Sequence, residues 1–367
     1  MEDSTRGNPI QVAVVVLLLA GGGWYFFKNY NIQGLDGLSV SPKQELWGDA
    51  ELTSFPGESQ FSSDSDRYGS NAASSPATAT SDSPFTLASR SAAGVAPGNI
   101  APASPAKRFK SLRIASWALD GFGPTKLGNP IVRQNVVRIV HQFDIVALQQ
   151  IAAIERDLIP RLVDDINQSG RRYDYVLGEA NGPTGRQEQL AFVFDTTRVR
   201  VDRNQTYTIA DPQNQMGYDP LVAWFQTAEP GVDKAWTFSL VNIRVDLGQA
   251  PSEVALLPKI VKSVRSDGRG EDDVILAGLF QADDAYLVPT LAADKVAAAV
   301  RSVPTDIFGR YQTSNILMDT TSCSEYLGRG GALDFLRVYN MSLAEAEVVT
   351  SHLPVYAEFT ATEGGRL

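Results

Sequence analysis

Residues 111–151 read SLRIASWALDGFGPTKLGNPIVRQNVVRIVHQFDIVALQQI, and the spacing of the apolar positions changes twice along them. Leu112 to Leu119 alternates, as a strand with one face on a core does. From Ile131 to Phe143 the positions Ile131, Val132, Asn135, Val136, Ile139, Val140 and Phe143 fall near one face at helical spacing. The run DIVALQQI, Asp144 to Ile151, then reads as a buried strand. Strand, helix, strand in that order predicts a layered α/β domain.

Further along the chain the pattern continues with a helix from Glu155 to Gln168 and a strand-rich middle, YDYVLGEA, QLAFVFD, LVAWFQT and WTFSLVNIRV. The theme then repeats. A helix near Ser252 to Ser266 leads to the strand DVILAGLF, a short helical stretch near Ala292 to Arg301, and the strands GALDFLRVY and LPVYAEFTA. Two strand-rich βαβ-like halves predict a four-layer α/β/β/α sandwich.

Upstream of the domain the composition shifts abruptly. Lys107, Arg108, Phe109 and Lys110 mark the boundary as a short basic stretch, read as solubilising rather than as a contact for anionic lipid or an acidic partner. Residues 33–106 are dominated by Ser, Ala, Pro, Thr, Gly and Asp, as in SNAASSPATATSDSP, and bury too little apolar surface to offset the entropy of ordering. They are expected to form a disordered, flexible linker with a reach of roughly 45 Å. Ahead of it, Ile10 to Phe27 reads IQVAVVVLLLAGGGWYFF, an uncharged run that as a helix would span roughly 27 Å. Trp24, Tyr25, Phe26 and Phe27 followed by Lys28 suit an interfacial belt, so a single-pass transmembrane helix within residues 1–32 is expected. A cleaved signal peptide competes with it. The acidic n-region with Glu2 and Asp3 favours the uncleaved anchor, and Arg6 and Lys28 balance without setting an orientation. The expected organisation is anchor 1–32, linker 33–106 and folded domain 107–367.

The chain carries 42 acidic and 32 basic side chains, a net charge of −10. Residues 1–106 hold 10 acidic and 5 basic groups, so each part is near −5 and neither is basic. That argues against tight nucleic-acid binding, which draws much of its affinity from neutralising phosphates. Cys323 is the one cysteine, so no intrachain disulfide forms and no cysteine-based zinc site is expected. Only His141 and His352 could serve as imidazole bases. Nothing in the pattern calls for an oligomer, and the domain is expected to be monomeric.

Six segments, in order, carry a specific resemblance: IASWALDGFG, DIVALQQI, FSLVNIRVD, LAGLFQADD, GALDFLRVY and TSHLPVYAEF. Over residues 111–361 the chain resembles the endonuclease/exonuclease/phosphatase superfamily, the fold of deoxyribonuclease I. Members of that superfamily have a strand ending in Asn, a QE pair, a histidine after a later strand, a GDFN segment, an Asp in a late strand and a terminal SDH.

The resemblance implies metal-assisted hydrolysis of phosphoesters, with Mg²⁺ held by carboxylates and an Asn, and two His–carboxylate pairs. The matched positions depart from this. Ala118 replaces the opening Asn, Gln150 the Glu of QE, Leu279 and Gln281 the Asp and Asn of GDFN, and Ser351 the Asp of SDH. Arg244 stands at the first histidine and cannot act as a base. Three catalytic positions match: Glu188, which orients the first histidine; Asp334, the partner of the second; and His352, the second histidine itself. A plain Glu188–Arg244 ion pair and an Asp334–His352 hydrogen bond are the structural alternatives to catalytic roles. Asp283 and Asp284 read as a solvated loop rather than a cation site.

The leading expectation is therefore a membrane-tethered pseudoenzyme with vestigial Glu188, Asp334 and His352, no cofactor, and a role in binding or scaffolding a protein or anionic ligand. The alternative is a divergent nuclease or phosphoesterase that uses Mg²⁺ or Mn²⁺, with Arg244 as phosphate clamp.

Overall fold

The computed structural model describes residues 30–33, 39–42 and 111–365, apart from 154 and 292–294. The expected membrane span at 10–27, most of the linker and the basic stretch 107–110 lie outside these residues. Among the described residues no helix is long and apolar enough to cross a membrane. The chain divides into two units, 1–87 and 88–367. In the first, strand β1 (Tyr30–Gln33) pairs antiparallel with β2 (Ser39–Pro42), so part of the stretch whose composition predicts coil is extended and paired.

The second unit opens with β3 (Ser111–Phe122), then helices α1 (Pro124–Gly128) and α2 (Pro130–Val140), strand β4 (Ile145–Ala152) and helix α3 (Leu158–Asn167). Asn129 starts α2 by accepting from the backbone N–H of Ile131 and Val132, with Pro130 in the first turn, where its missing N–H is harmless. Strands β5 (Tyr173–Leu177), β6 (Glu188–Asp195), β7 (Val199–Thr208), β8 (Leu221–Thr227) and β9 (Thr237–Arg244) follow. The predicted helix at 252–266 is two helices, α4 (Ala250–Val254) and α5 (Leu257–Arg265), because Pro258 sits in a first turn and cannot continue a helix. After β10 (Val274–Leu279) and α6 (Asp284–Thr290), the stretch read as helical near 292–301 instead carries strand β11 (Val296–Ala298), paired with β12 (Ser314–Asp319). The predicted strand GALDFLRVY is half strand and half helix: β13 (Tyr326–Ala332) ends there and α7 (Phe335–Tyr339) begins. Helix α8 (Leu343–Val349), with a full capping box from Ser342 and Glu345, precedes β14 (Val355–Thr360).

Two mixed six-stranded sheets result, ordered β13-β14-β3-β4-β6-β5 and β11-β12-β10-β9-β8-β7. Each has one parallel pair at its centre, β3 with β4 and β9 with β10. One core, with Ile114, Phe192, Phe225, Phe238 and Phe359, fills the space between the sheets. A second packs α2 and α3 on the outer face of the first sheet, and a third packs α4 and α5 on the outer face of the other. Helices thus flank both outer faces, as in a deoxyribonuclease I-like sandwich.

A polar bridge crosses the central core. Gln149 on β4 donates to Asn242 Oδ1 on β9 at 2.7 Å, and Asn242 Nδ2 donates to the carbonyls of Leu148 and Ala191 at 3.0 Å each. Both amides are fully buried. The register of β4 against β6 shifts between Leu148 and Ile151, so the Asn242 amide serves carbonyls beside that irregularity.

Candidate functional site

The segments of the family motif meet at one pole of the sandwich, where β3, β4, β9 and β10 end and β6, β12 and β14 begin. An arginine–carboxylate pair and a histidine–carboxylate pair stand there, beside a longer contact between Arg186 and Asp246.

The first joins Glu188, opening β6, to Arg244, closing β9. Arg244 Nε lies 3.2 Å from Glu188 Oε2, and a terminal nitrogen lies 3.5 Å from Oε1. Another guanidinium nitrogen donates to the carbonyl of Val245, and the group sits over the Tyr218 ring, 4.8 Å from its centroid. Both side chains are largely buried, at 10% and 16% exposure, so the pair is shielded from solvent screening. Burial, and then the charge of Glu188, push the Tyr218 phenol up.

The second pair contains His352, but its partner is Asp120 rather than Asp334. His352 Nε2 lies 3.3 Å from Asp120 Oδ1, and the other carboxylate oxygen accepts the Ser351 N–H at 2.6 Å. The other ring nitrogen, Nδ1, lies 3.5 Å from Thr313 Oγ1. The Asp120 N–H donates to Gln150 Oε1 at 3.2 Å. Burial pushes the Asp120 carboxyl up, but the hydrogen bond and charge of His352 and the Ser351 N–H outweigh it, holding the group well below the usual carboxylate range. Lys126 donates to the carbonyls of Leu119 and Val349 at 2.9 Å each, and burial pushes its ammonium down against the opposing pull of Asp120.

Asp334 is a correction to the sequence reading. It caps α7, accepting the Arg337 N–H at 3.1 Å and pairing with Arg337 Nε at 3.3 Å. Among the described residues no hydrogen bond or ion pair joins it to His352. The carboxylate doublet is likewise structural: Asp283 caps α6 through the Tyr286 N–H, and Asp284 accepts from Ser302 N–H at 2.8 Å.

Ala118 and Leu279, at the matched metal-ligand positions of β3 and β10, are fully buried. Three non-glycine residues at these strand ends, Asp120, Gln150 and Gln281, have positive φ of 48°, 59° and 56°. Such conformations concentrate at functional sites. Magnesium takes hard oxygen ligands, anionic ones above all, in a near-octahedral set. Here Ala118 and Leu279 offer no oxygen, Gln150 accepts from a backbone N–H, and both oxygens of Asp120 and of Glu188 are engaged by neighbours. Among the described residues the side chains of metal-ligand type do not gather at this pole. The donor set does not fit Mg²⁺. What remains can bind an anion at a guanidinium or hold a proton on an imidazole.

Asp120, Thr313 and Tyr218 were not among the candidates from sequence. Asp120 lay within the quoted segment IASWALDGFG, two residues past the Asn position, and an Asp-Gly step at a strand end was the available signal.

No protein-family model matches the chain. Among curated proteins it is similar to deoxyribonuclease-1 of Bos taurus, 26% identical over 275 residues, covering 68% of this chain and 93% of that one. It is also similar to deoxyribonuclease gamma of Mus musculus, 24% identical over 263 residues, covering 67% and 83%. Among solved structures it is similar to an endonuclease/exonuclease/phosphatase from Bacteroides vulgatus, with a TM-score of 0.49, 16% identity, and coverage of 69% of this chain and 99% of that one.

Proposed function

We propose, from the premise that this chain belongs to the deoxyribonuclease I-like endonuclease/exonuclease/phosphatase superfamily, that its domain is a catalytically inactive pseudoenzyme. It is held to a membrane by residues 1–32 through the 33–106 tether and serves as a binding or scaffolding module for a protein or an anionic ligand. The observation that carries this reading is the buried Leu279 with Ala118 where the family places oxygen ligands, beside carboxylates already engaged by Arg244 and His352. An apolar side chain there takes away an anionic ligand, and groups that act as a unit fail together rather than additively. An anion at this pole would share the permanent charge of Arg244 with Glu188, the guanidinium lying over the Tyr218 ring.

One observation favours the alternative of a divergent metal-dependent phosphoesterase or nuclease: His352 keeps a carboxylate partner, supplied by Asp120. The full-length chain, purified free of contaminating nuclease and assayed with Mg²⁺ or Mn²⁺ on DNA, RNA and phosphomonoesters, separates the two. The expected result is turnover no higher than that of a Glu188→Ala, His352→Ala double variant. Metal-dependent turnover that the double variant lacks establishes the alternative.

A further inference from the structure

At the opposite pole of the sandwich, Asp273 precedes β10, and Cys323 and Glu325 lie in the connection that crosses from β12 to β13. All three are buried, Asp273 at 3% exposure, Glu325 at 1% and Cys323 at 0%. One ligand-type atom from each lies within 4.8 Å of the others. Trp236 Nε1 donates to Asp273 Oδ2 at 2.7 Å, and the Gly364 N–H donates to Glu325 Oε1 at 2.5 Å. The other oxygens, Asp273 Oδ1 and Glu325 Oε2, are buried with no hydrogen-bond partner. Glu271 is close by in sequence, its oxygens taken by Trp224 Nε1 and the Asp273 N–H, and Glu363 stands at the rim, accepting from Thr237 N–H. Among the described residues none of these four carboxylates has an Arg or Lys ion-pair partner.

Buried acids in such a group are unfavourable unless a cation or proton compensates them. One carboxylate oxygen of each acid lies close to the sulfur and each acid keeps an oxygen without a partner, so one cation would find three ligands of mixed hardness. Thiolate favours zinc-type ions, and carboxylate oxygen is compatible with them. We propose that Asp273, Cys323 and Glu325 form a binding site for a zinc-class divalent cation, with water completing a tetrahedron. Binding displaces the thiol proton to solvent and leaves a sulfur–metal bond. Because Asp273 leads into the second sheet and Glu325 into the first, the ion staples the two sheets together far from the family's catalytic pole. From the lone cysteine the sequence predicts no cysteine-based zinc site; the two buried carboxylates beside Cys323 are what that expectation leaves out.

The test uses the full-length chain, stripped with chelator and titrated with Co²⁺. The expected result is a sulfur-to-cobalt charge-transfer band that saturates at one equivalent, bleaches on addition of Zn²⁺ and ignores Mg²⁺. Since Cys323 is the single cysteine, Cys323→Ser abolishes the band, and Glu325→Gln weakens binding at least tenfold. Zn²⁺ at a hundredfold excess over its Kd raises the melting temperature by about 5–10 °C, by mass action on the native state. Absence of the wild-type band overturns the proposal whether or not the variants fold, and assigns the acids a shared proton instead. Unchanged affinity in Glu325→Gln overturns the ligand set.

Discussion

The two poles of this sandwich treat carboxylates in opposite ways. At the pole where the family motif converges, the acids are answered: Glu188 by Arg244, Asp120 by His352 and the Ser351 N–H, and the fully buried Glu253 by the N–H groups of Gly217 and Asp246. At the far pole, acids are numerous and two of their oxygens are unanswered. Folded proteins rarely leave a buried acceptor without a donor, so each exception asks for an explanation such as an ion. The difference teaches that a motif marks where a superfamily does chemistry, whereas orphaned polar atoms mark where this chain has unmet demand.

The most severe way to break the contrast is Leu279→Asp, which plants an unpaired carboxylate at the fully buried centre of the motif pole. The expected loss is about 3–5 kcal/mol of unfolding free energy in urea titration, with no gain of Mg²⁺-dependent hydrolysis. A tolerated Asp that binds Mg²⁺ would erase the difference between the poles. Next is Glu188→Ala, which leaves the Arg244 guanidinium buried without its carboxylate and should remove about 3 kcal/mol. The Glu188→Ala, Arg244→Ala double variant should lose less than the sum of the singles, and additivity in that cycle would deny the pairing.

Asp120→Asn comes third, at about 1.5–2 kcal/mol near neutral pH for the loss of a charge-assisted bond. The folded-state carboxyl is held below its unfolded value, so its contribution is present above the unfolded pKa near 4 and is lost as pH falls through the folded value. Wild-type and variant stabilities should accordingly converge in acid, measured as urea midpoints between neutral pH and strongly acidic conditions. The smallest effect sharpens the comparison from the other side: in chelator, Glu325→Gln should change stability by within about 0.5 kcal/mol, since the amide oxygen still accepts from the Gly364 N–H and no ion is bound for the carboxylate to hold.

Much of the architecture was legible because periodicity reports burial. The β3–α2–β4 unit could be read from residues 111–151, and Glu188, Arg244 and His352 from motif order. What stayed hidden depends on backbone geometry at element ends. Asp120 swings to His352 because φ turns positive at Asp120 and Gly121, where the register of β3 against β4 shifts between Ala118 and Phe122, and alternation cannot show such a turn. Asp334 looked like a strand residue because Leu333 and Phe335 flank it as an alternating pattern would, yet it starts a helix. Asp273 and Glu325 are distant in sequence and meet only through the order of strands.

The Gln149–Asn242 bridge has a consequence for how the chain finds one structure. The two sheets have corresponding strand orders, each with a parallel pair at its centre, and an interface made of Phe, Leu and Val alone would accept several sliding positions with similar contact. A slip of one residue along either strand would separate the two amides and strand the carbonyls of Leu148 and Ala191, each orphaned group costing about 1–3 kcal/mol. The bridge is an alignment key: it adds little to the depth of the native well, but it raises the wells beside it.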